Sequence, residues 1–357
     1  MLLIGPPDDD APGGRAMLSR INRAILADLY GDRLRHFPLA RSRRPSLAET
    51  ARGWIDGVDA DSIGRLCALI ADAEINSVFL DGSNLGAAAR AIRRRHPSVR
   101  IVTFLHNVET RFFLGALKAR PGLRALAVLL ANHRAERSVV RASDLLLCLS
   151  AEDSRMLRRL HGRAADAITP LAVIDRLPAS TPTQHSDDRR FALFVGGGFY
   201  ANLDAVRWFA REVAPHVAIE TRVIGRGMEA LAAEFASHPT IRIVGTVDDL
   251  APWYRDAHVV IAPIRDGSGM KTKVAEALMF GKRTIGTPQA FAGYDAAVAA
   301  AGWLCRDAAA FAQALNEAAS QPLPAFDPAA RALYERLYSF EAARGRMAAA
   351  LGIATSA

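Results

Sequence analysis

"HVVIAPIRDGSGMKTKVAEALMFGKRTIGTP", residues 258–288, reads as a buried strand, a glycine turn, a helix and the start of a second strand. Val259 to Ala262 is a short run that is apolar on both faces, which suits a parallel strand covered by helices. Two strands joined through a helix in this way form a βαβ unit. The helix start is chemically odd. Its first turn carries the positive end of the backbone dipole and prefers Asp or Glu, yet Lys271 and Lys273 stand there. Backbone N–H groups presented by Gly267, Ser268 and Gly269 at the same end make a ready site for phosphate. An anion reconciles the glycines, the N–H groups and the lysines. The competing expectation is a solvated, frayed helix start in which Lys273 pairs with Glu276, worth only a few tenths of a kcal/mol.

Outward from this stretch the alternation continues. "RFALFVGGGFY", "AIETRVIGRG", "TIRIVGTVDDL", "KRTIGTP" and "GWLCRD" read as further strands of the second half. Several of their carboxyl ends carry glycine turns, where ligands of doubly wound sheets bind. "FVGGGF" does not match GxGxxG, and no acidic residue closes the following βα unit, which argues against a dinucleotide-dependent dehydrogenase. The segment "YANLDAVRWFAREVAPHV" reads as an amphipathic helix with Asn202 as N-cap and Trp208 and Phe209 in the core.

Residues 1 to about 175 show the same signature. "MLLIG", "INSVFLDGSN", "VRIVTFLHN", "DLLLCLS" and "DAITPLAVID" read as strands, with "GRAMLSRINRAILADLYG" and "LGAAARAIRRRHP" as helices and Ser150 as the N-cap of another. "DRLPASTPTQHSDDRR" has linker chemistry. The final "FDPAARALYERLYSFEAARGRMAAALG" reads as helical with a break near Ser339, packing back across the domain junction. The boundaries read from the sequence are 1–178 and 191–338 for the two domains, 179–190 for the linker and 339–357 for the last helix. No repeat of fixed period is present, which excludes a solenoid.

The chain has 357 residues, 50% hydrophobic and 23% charged, enough for two packed cores. Cys67, Cys148 and Cys305 lie far apart without CxxC or a His partner at metal spacing, so they predict core filling in a reducing cytoplasm rather than a disulfide framework or zinc site. The opening "MLLIGPPDDDAPGG" lacks the basic flank of a signal peptide, and the apolar stretch near "LRALAVLLANHR" is too short to span a bilayer. A net charge of +8 favours anionic partners such as nucleotide-sugar phosphates or lipid headgroups. Arginine is spread without the aromatic and glycine interleaving of an RNA-binding sheet, which argues against nucleic acid.

In "FLHNVETRFF", His106 and Asn107 sit where a buried strand ends, placed to hydrogen-bond a polyhydroxyl ligand or polarise a leaving group. Taken alone, His106 has a structural reading as well. Glu109 and Arg111 are acceptor-site candidates, with a solvated surface pair as the alternative. "RFFLGALKAR" reads either as core packing or as a membrane-touching segment. Gly13 and Gly14 in "APGGRA" let a substrate approach the backbone, or merely close a turn.

Together these stretches resemble the retaining, family 4-like GT-B glycosyltransferases, whose second domain is known as glycosyl transferase group 1. The resemblance covers nearly the whole chain and is carried by Gly13-Gly14, "HN", "ASDLLLCLSAEDSRML", "LFVGGGFYANLDAVRWF", "VIGRG", "VGTVDDLAPWYRDAHVVIAPI", "GSGMKTKVAEALMFGKRTIGTP" and "YSFEAARGRM". It implies an α/β fold of two Rossmann-like parallel-sheet domains facing across a cleft, with the C-terminal helix crossing back. It also implies that Glu276 holds the ribose of a nucleotide diphosphate sugar and that backbone N–H groups around Gly269, Met270, Lys271 and Thr272 hold its phosphates. Val247 would meet the base, with Gly198, Gly225 and Arg226 lining the same cleft. His106 would stand near the transferred sugar, Gly14 near the donor phosphate, and Gly13, Asn107, Glu109 and Arg111 on the acceptor side. Two departures stand out. Ser268 occupies the place of the family's second glutamate, and the "GGGFYAN" loop lacks the Arg and Lys that often neutralise the diphosphate, leaving that charge to Lys271.

The reading is a hexosyl or related glycosyltransferase of polysaccharide or glycoconjugate biosynthesis, without metal or other cofactor. It would be cytoplasmic or peripheral on the inner face of the cell membrane. The "DDD" at residues 8–10 would stay solvated. The alternatives are a GT-B epimerase or phosphorylase and a degenerate nucleotide-binding or scaffold protein.

Overall fold

The computed structural model describes residues 1–7, 13–39, 46, 49–50, 53–177, 190–267 and 269–354. The acidic run at 8–10, nearly all of the expected linker and Ser268 lie outside the described residues. The chain divides into two compact units, Met1–Leu171 with Ala343–Ala357, and Ala172–Ala342.

The first unit is built on six strands: β1 (Leu2–Gly5), β2 (Arg35–Pro38), β3 (Ser77–Asp81), β4 (Arg100–Leu105), β5 (Leu145–Cys148) and β6 (Ala167–Ile168). They are parallel and ordered β2-β1-β3-β4-β5-β6. The inner strands β1, β3, β4 and β5 are buried on both faces because helices cover both, as their unbroken apolar runs require. Leu2, Val78 and Ile101 align across three strands and pack with Leu66, Ile70, Leu85, Ile92 and Val139 from the helices. β2 has no such run: Arg35 and Pro38 are exposed, as edge-strand positions tolerate. The expected strand "DAITPLAVID" shrinks to Ala167–Ile168. Ser150 caps the helix Ala151–His161 as expected, accepting from Asp153 N–H.

The second unit repeats the plan with β7 (Phe191–Val195), β8 (Glu220–Ile224), β9 (Ile241–Gly245), β10 (Val259–Ala262), β11 (Thr284–Gly286) and β12 (Trp303–Leu304), in the order β12-β11-β10-β7-β8-β9. All pairs are parallel. Trp208 and Phe209 are core, as expected, each edge-on to Phe311 at 6.0 Å.

The unit boundary falls earlier than residue 178. Val173 N–H donates to Tyr338 O at 3.0 Å, Tyr334 Oη to Val173 O at 3.0 Å, and Arg331 pairs with Asp175, so the segment from Ala172 is tied to the helix Pro328–Leu337. The helical break near Ser339 is present, and the last helix is Phe340–Leu351. From Ala343 onward it belongs to the first unit, where Arg344 pairs with Asp28 and Arg100 donates to Leu351 O at 3.4 Å.

Candidate functional site

In the second unit the chain runs out from β7 towards β9 on one side and from β10 towards β12 on the other. The strand order therefore reverses between β7 and β10, and the carboxyl ends at such a switch point form a natural crevice. The loop Gly196–Phe199 leaves β7 there, and Pro263–Lys271 leaves β10. Gly267 and Gly269 adopt φ of 113° and 70°, backbone that L side chains rarely take. Tyr294 Oη fixes the turn by donating to Lys271 O at 2.7 Å and accepting from Ala275 N–H at 3.1 Å.

The helix that follows, Thr272–Met279, has no acidic residue in its first turn, and its N-cap residue Lys271 makes no side-chain cap. The two lysines differ. The Lys271 ammonium donates to Gly269 O at 2.6 Å, within its own turn, and is half-buried. Lys273 is 6% exposed, and its Nζ donates to Asn202 Oδ1 at 2.9 Å while lying 4.2 Å from the centre of the Phe194 ring. Burial, helped by repulsion from Lys271 and opposed by Glu276, pushes its ammonium down to about 7. Lys273 is thus neither solvated nor a helix-face partner of Glu276. Asn202 is also corrected. The helix Tyr200–Glu212 starts after Phe199, so Asn202 lies within the first turn, where its Nδ2 donates to Gly197 O at 2.9 Å. Lys273 and Asn202 together link the helix start to the glycine loop after β7.

Glu276 is 7% exposed and both its oxygens are engaged. Tyr254 Oη donates to Oε2 at 2.9 Å, and Arg176 donates to Oε1 at 3.1 Å. Backbone bonds stitch the neighbouring strand ends together: Gly198 N–H to Arg226 O at 2.7 Å and Gly225 N–H to Gly245 O at 2.7 Å. A Cβ on Gly225 would stand 2.1 Å from Gly196 O, so only glycine permits this approach. Arg226 is exposed, Val247 and Thr272 are half-buried, and Met270 is buried. Gly198, Gly225 and Arg226 therefore meet, and Gly269, Met270, Lys271, Thr272 and Glu276 form one turn and helix.

The first unit reverses between β1 and β3, and the ends of β3 and β4 converge beside that point. His106, 6% exposed, follows β4 and holds Asp81 Oδ1 at 3.0 Å through Nε2. Its Nδ1 is buried without a hydrogen-bond partner among the described residues. Asn22 donates to the same carboxylate oxygen at 2.8 Å. Burial on its own would raise the Asp81 carboxyl. Attraction to His106, with hydrogen bonds from His106 and Asn22, outweighs that and holds it down to about 2.

Glu109 is nearly buried, which raises its carboxyl, while Arg15 opposes that rise and Glu136 and Asp56 add to it. Asn107 Nδ2 lies 3.4 Å from Glu109 Oε1. Arg111 bonds Glu152 at 2.7 Å. Glu109 and Arg111 are therefore not a solvated surface pair. Glu109 faces the cluster and Arg111 is tied to the helix Ala151–His161. Gly13, at φ 112°, and Gly14 open the helix Gly14–Tyr30 and are exposed. The structure adds Asp81, Asn22, Arg15, Tyr254 and Arg176 to the sites. Of these only Asp81 left a signal, an acidic residue closing an apolar strand before glycine in "VFLDGS".

Two parallel sheets, each with helices on its faces, define the GT-B class. Solved structures share this architecture over nearly their full lengths. Sucrose-phosphate synthase (tll1590) from Thermosynechococcus elongatus matches at a TM-score of 0.75 and 14% identity, covering 98% of each chain. Anabaena Alr3699/HepE in complex with UDP-glucose matches at 0.67 and 15%, covering 99% of each. The lipopolysaccharide outer core galactosyltransferase WaaB matches at 0.64 and 12%, covering 98% of each. At such identities the likeness shows the fold. No curated protein matches in sequence. Residues 189–321 match the family model of the glycosyl transferases group 1. That match lies in the second half of the chain, and with the GT-B architecture it supports a glycosyltransferase.

Proposed function

We propose that the protein moves a sugar from a nucleotide diphosphate sugar to a hydroxyl of a glycan or lipid-linked acceptor, with retention of configuration, in polysaccharide or glycoconjugate biosynthesis. The observation that carries the donor assignment is the pair of loops at the second sheet's switch point, joined through Lys273, Asn202 and Gly197 above a helix that presents Glu276. Glu276 would accept from the ribose hydroxyls. The helix start and Gly267–Lys271 turn would hold the diphosphate. Lys273 would supply the charge expected of Lys271, and would gain a proton when a phosphate approaches. Positioning and stabilisation of the departing diphosphate would then perform the work that other sugar transferases give to a metal. His106, Asn107 and Glu109 would serve the transferred sugar and the acceptor. A lipid-linked acceptor would place the enzyme on the inner face of the cell membrane.

UDP and UDP-glucose, held by Anabaena Alr3699/HepE, are the first donors to test. The test is nucleoside diphosphate release from a panel of nucleotide sugars with glycan and lipid acceptors, for the wild type and Glu276→Ala. The variant should lose about 100-fold or more in kcat/KM, since an interaction with a charged partner disappears, and should melt lower than the wild type but cooperatively, because Tyr254 loses its buried acceptor. Full activity in the variant would overturn the site. Binding without turnover for every acceptor would favour the nucleotide-binding or scaffold alternative.

A further inference from the structure

Between β4 and β5 the first unit inserts a helical hairpin, Glu109–Ala119 and Leu123–Ala142. Its base is locked. A Cβ on Gly86 would stand 2.1 Å from Ala135 O, so the helix Gly86–Arg95 meets the hairpin at backbone contact. Glu136, fully buried, accepts from Glu109 N–H at 2.7 Å and from His161 at 2.8 Å. The tip is the opposite. Among the described side chains of residues 111–130 none is buried, although the sequence there is rich in Phe, Leu, Ala and Val. Leu114, Leu126 and Leu130 are 41%, 41% and 47% exposed, and Leu123 reaches 87%. Leu123, Leu126 and Leu130 recur at helical spacing and share one face. Most other large apolar exposures in the chain are single residues, which need no explanation; these cluster, and a cluster does.

The charge around them has one sign. Residues 110–135 contain Arg111, Lys118, Arg120, Arg124 and Arg134 and not one Asp or Glu, and Lys118, Arg120 and Arg124 are exposed. A hairpin tip that is leucine-rich and whose own charged residues are all basic suits a layer that offers apolar depth beneath negative headgroups. A second copy of the chain fits poorly, because a symmetric contact would set these cations against themselves. No described helix is long and apolar enough to cross a membrane, so the contact would lie in the interface plane.

We propose that the tip of this hairpin docks the protein on an anionic bilayer, with Leu114, Leu123, Leu126 and Leu130 entering the acyl boundary and Lys118, Arg120 and Arg124 meeting phosphate headgroups. The inference stands on the hairpin; only its purpose, bringing the enzyme to a lipid-linked acceptor, rests on the proposed function. Co-sedimentation tests it, with vesicles of phosphatidylcholine alone and of phosphatidylcholine mixed with phosphatidylglycerol. The wild type should bind the mixed vesicles, release as salt rises, and ignore the neutral ones. Arg120→Glu with Arg124→Glu should weaken partitioning by about tenfold or more, and Leu123→Ser with Leu126→Ser and Leu130→Ser by a similar factor. Both variants alter exposed positions, and unchanged thermal melting and nucleotide binding would show that they fold. Absence of binding to either vesicle, or binding that neither variant weakens, would overturn the proposal. So would a wild-type dimer that the leucine variant converts to monomer without any vesicle binding, which would make a second copy the occupant.

Discussion

The two units use one architecture to build crevices of different material. At the second unit's switch point the walls are main chain, Gly196–Gly198, Gly225, Gly267 and Gly269, with Lys273 and Glu276 added from one helix. At the first unit's corresponding place the walls are side chains, Asp81, Asn22, His106, Glu109 and Arg15. Main chain answers an anion whose shape does not vary, whereas side chains can be exchanged to suit a variable ligand. The residues that match the family model, 189–321, lie in the second unit. The division also says how each set of walls should fail: the first unit's through loss of one oriented side chain, the second unit's main chain by degrees.

Beside the loss expected of Glu276→Ala, the largest effect is expected in the first unit, at Asp81. Its carboxylate is 2% exposed and bonded to His106 and Asn22. Asp81→Asn keeps the shape but frees the His106 ring to choose another tautomer, and kcat should fall by about two orders of magnitude. Stability should change as well. The folded carboxyl titrates at about 2, against 3.8 ordinarily, so Asp81 contributes stability that is present above the ordinary value and lost as pH falls towards 2. That contribution is about 2 kcal/mol at neutral pH. Denaturation of wild type and variant across that acidic range should converge as pH drops. A variant that keeps its kcat, or curves that stay parallel, would remove Asp81 as the positioning residue.

Lys273 tests the second unit from the other direction. Its ammonium titrates at about 7 when folded and 10.5 ordinarily, so above 7 the unfolded chain holds a proton that the folded chain has released. Stability should rise with pH between those values and be least below 7. Lys273→Met should flatten that rise and melt higher at neutral pH, because a buried cation without an acidic partner is costly. Nucleoside diphosphate affinity should nevertheless drop about tenfold, and wild-type binding should take up protons, seen as a calorimetric enthalpy that depends on the buffer. Unchanged affinity in Lys273→Met would leave the lysine structural and return the charge to Lys271.

How far the sequence carried follows from the same physics. Interior strands were legible because burial on both faces writes an unbroken apolar run, as in Val259–Ala262 and Leu145–Cys148. β2 was not, since Arg35-His36-Phe37-Pro38 lies at an edge and is mostly uncovered. Glu276 and the glycine turns were legible because their chemistry is local. The depth of Lys273 was hidden, because Asn202 and Phe194, which receive it, are far away in sequence and arrive through the sheet. Asn202 misled for the related reason that its side chain serves a tertiary bond instead of capping its own helix. Tyr254 and Arg176 carried no local mark at all.

Tyr254 offers the smallest and most discriminating test. It is fully buried, stacked on Phe280 at 5.1 Å, and its hydroxyl donates to Glu276 Oε2. Tyr254→Phe retains the ring and the stacking but removes one of the two donors that orient the carboxylate, leaving Arg176 on Oε1. If Glu276 holds the ribose, remote from the bond that breaks, the looser carboxylate should weaken ground state and transition state alike. The donor KM should then rise about fivefold with kcat nearly unchanged. A fall in kcat at constant KM would instead place Glu276 at the reacting centre. The second unit's crevice would then depend on an oriented side chain as the first one does, and the contrast between them would be lost.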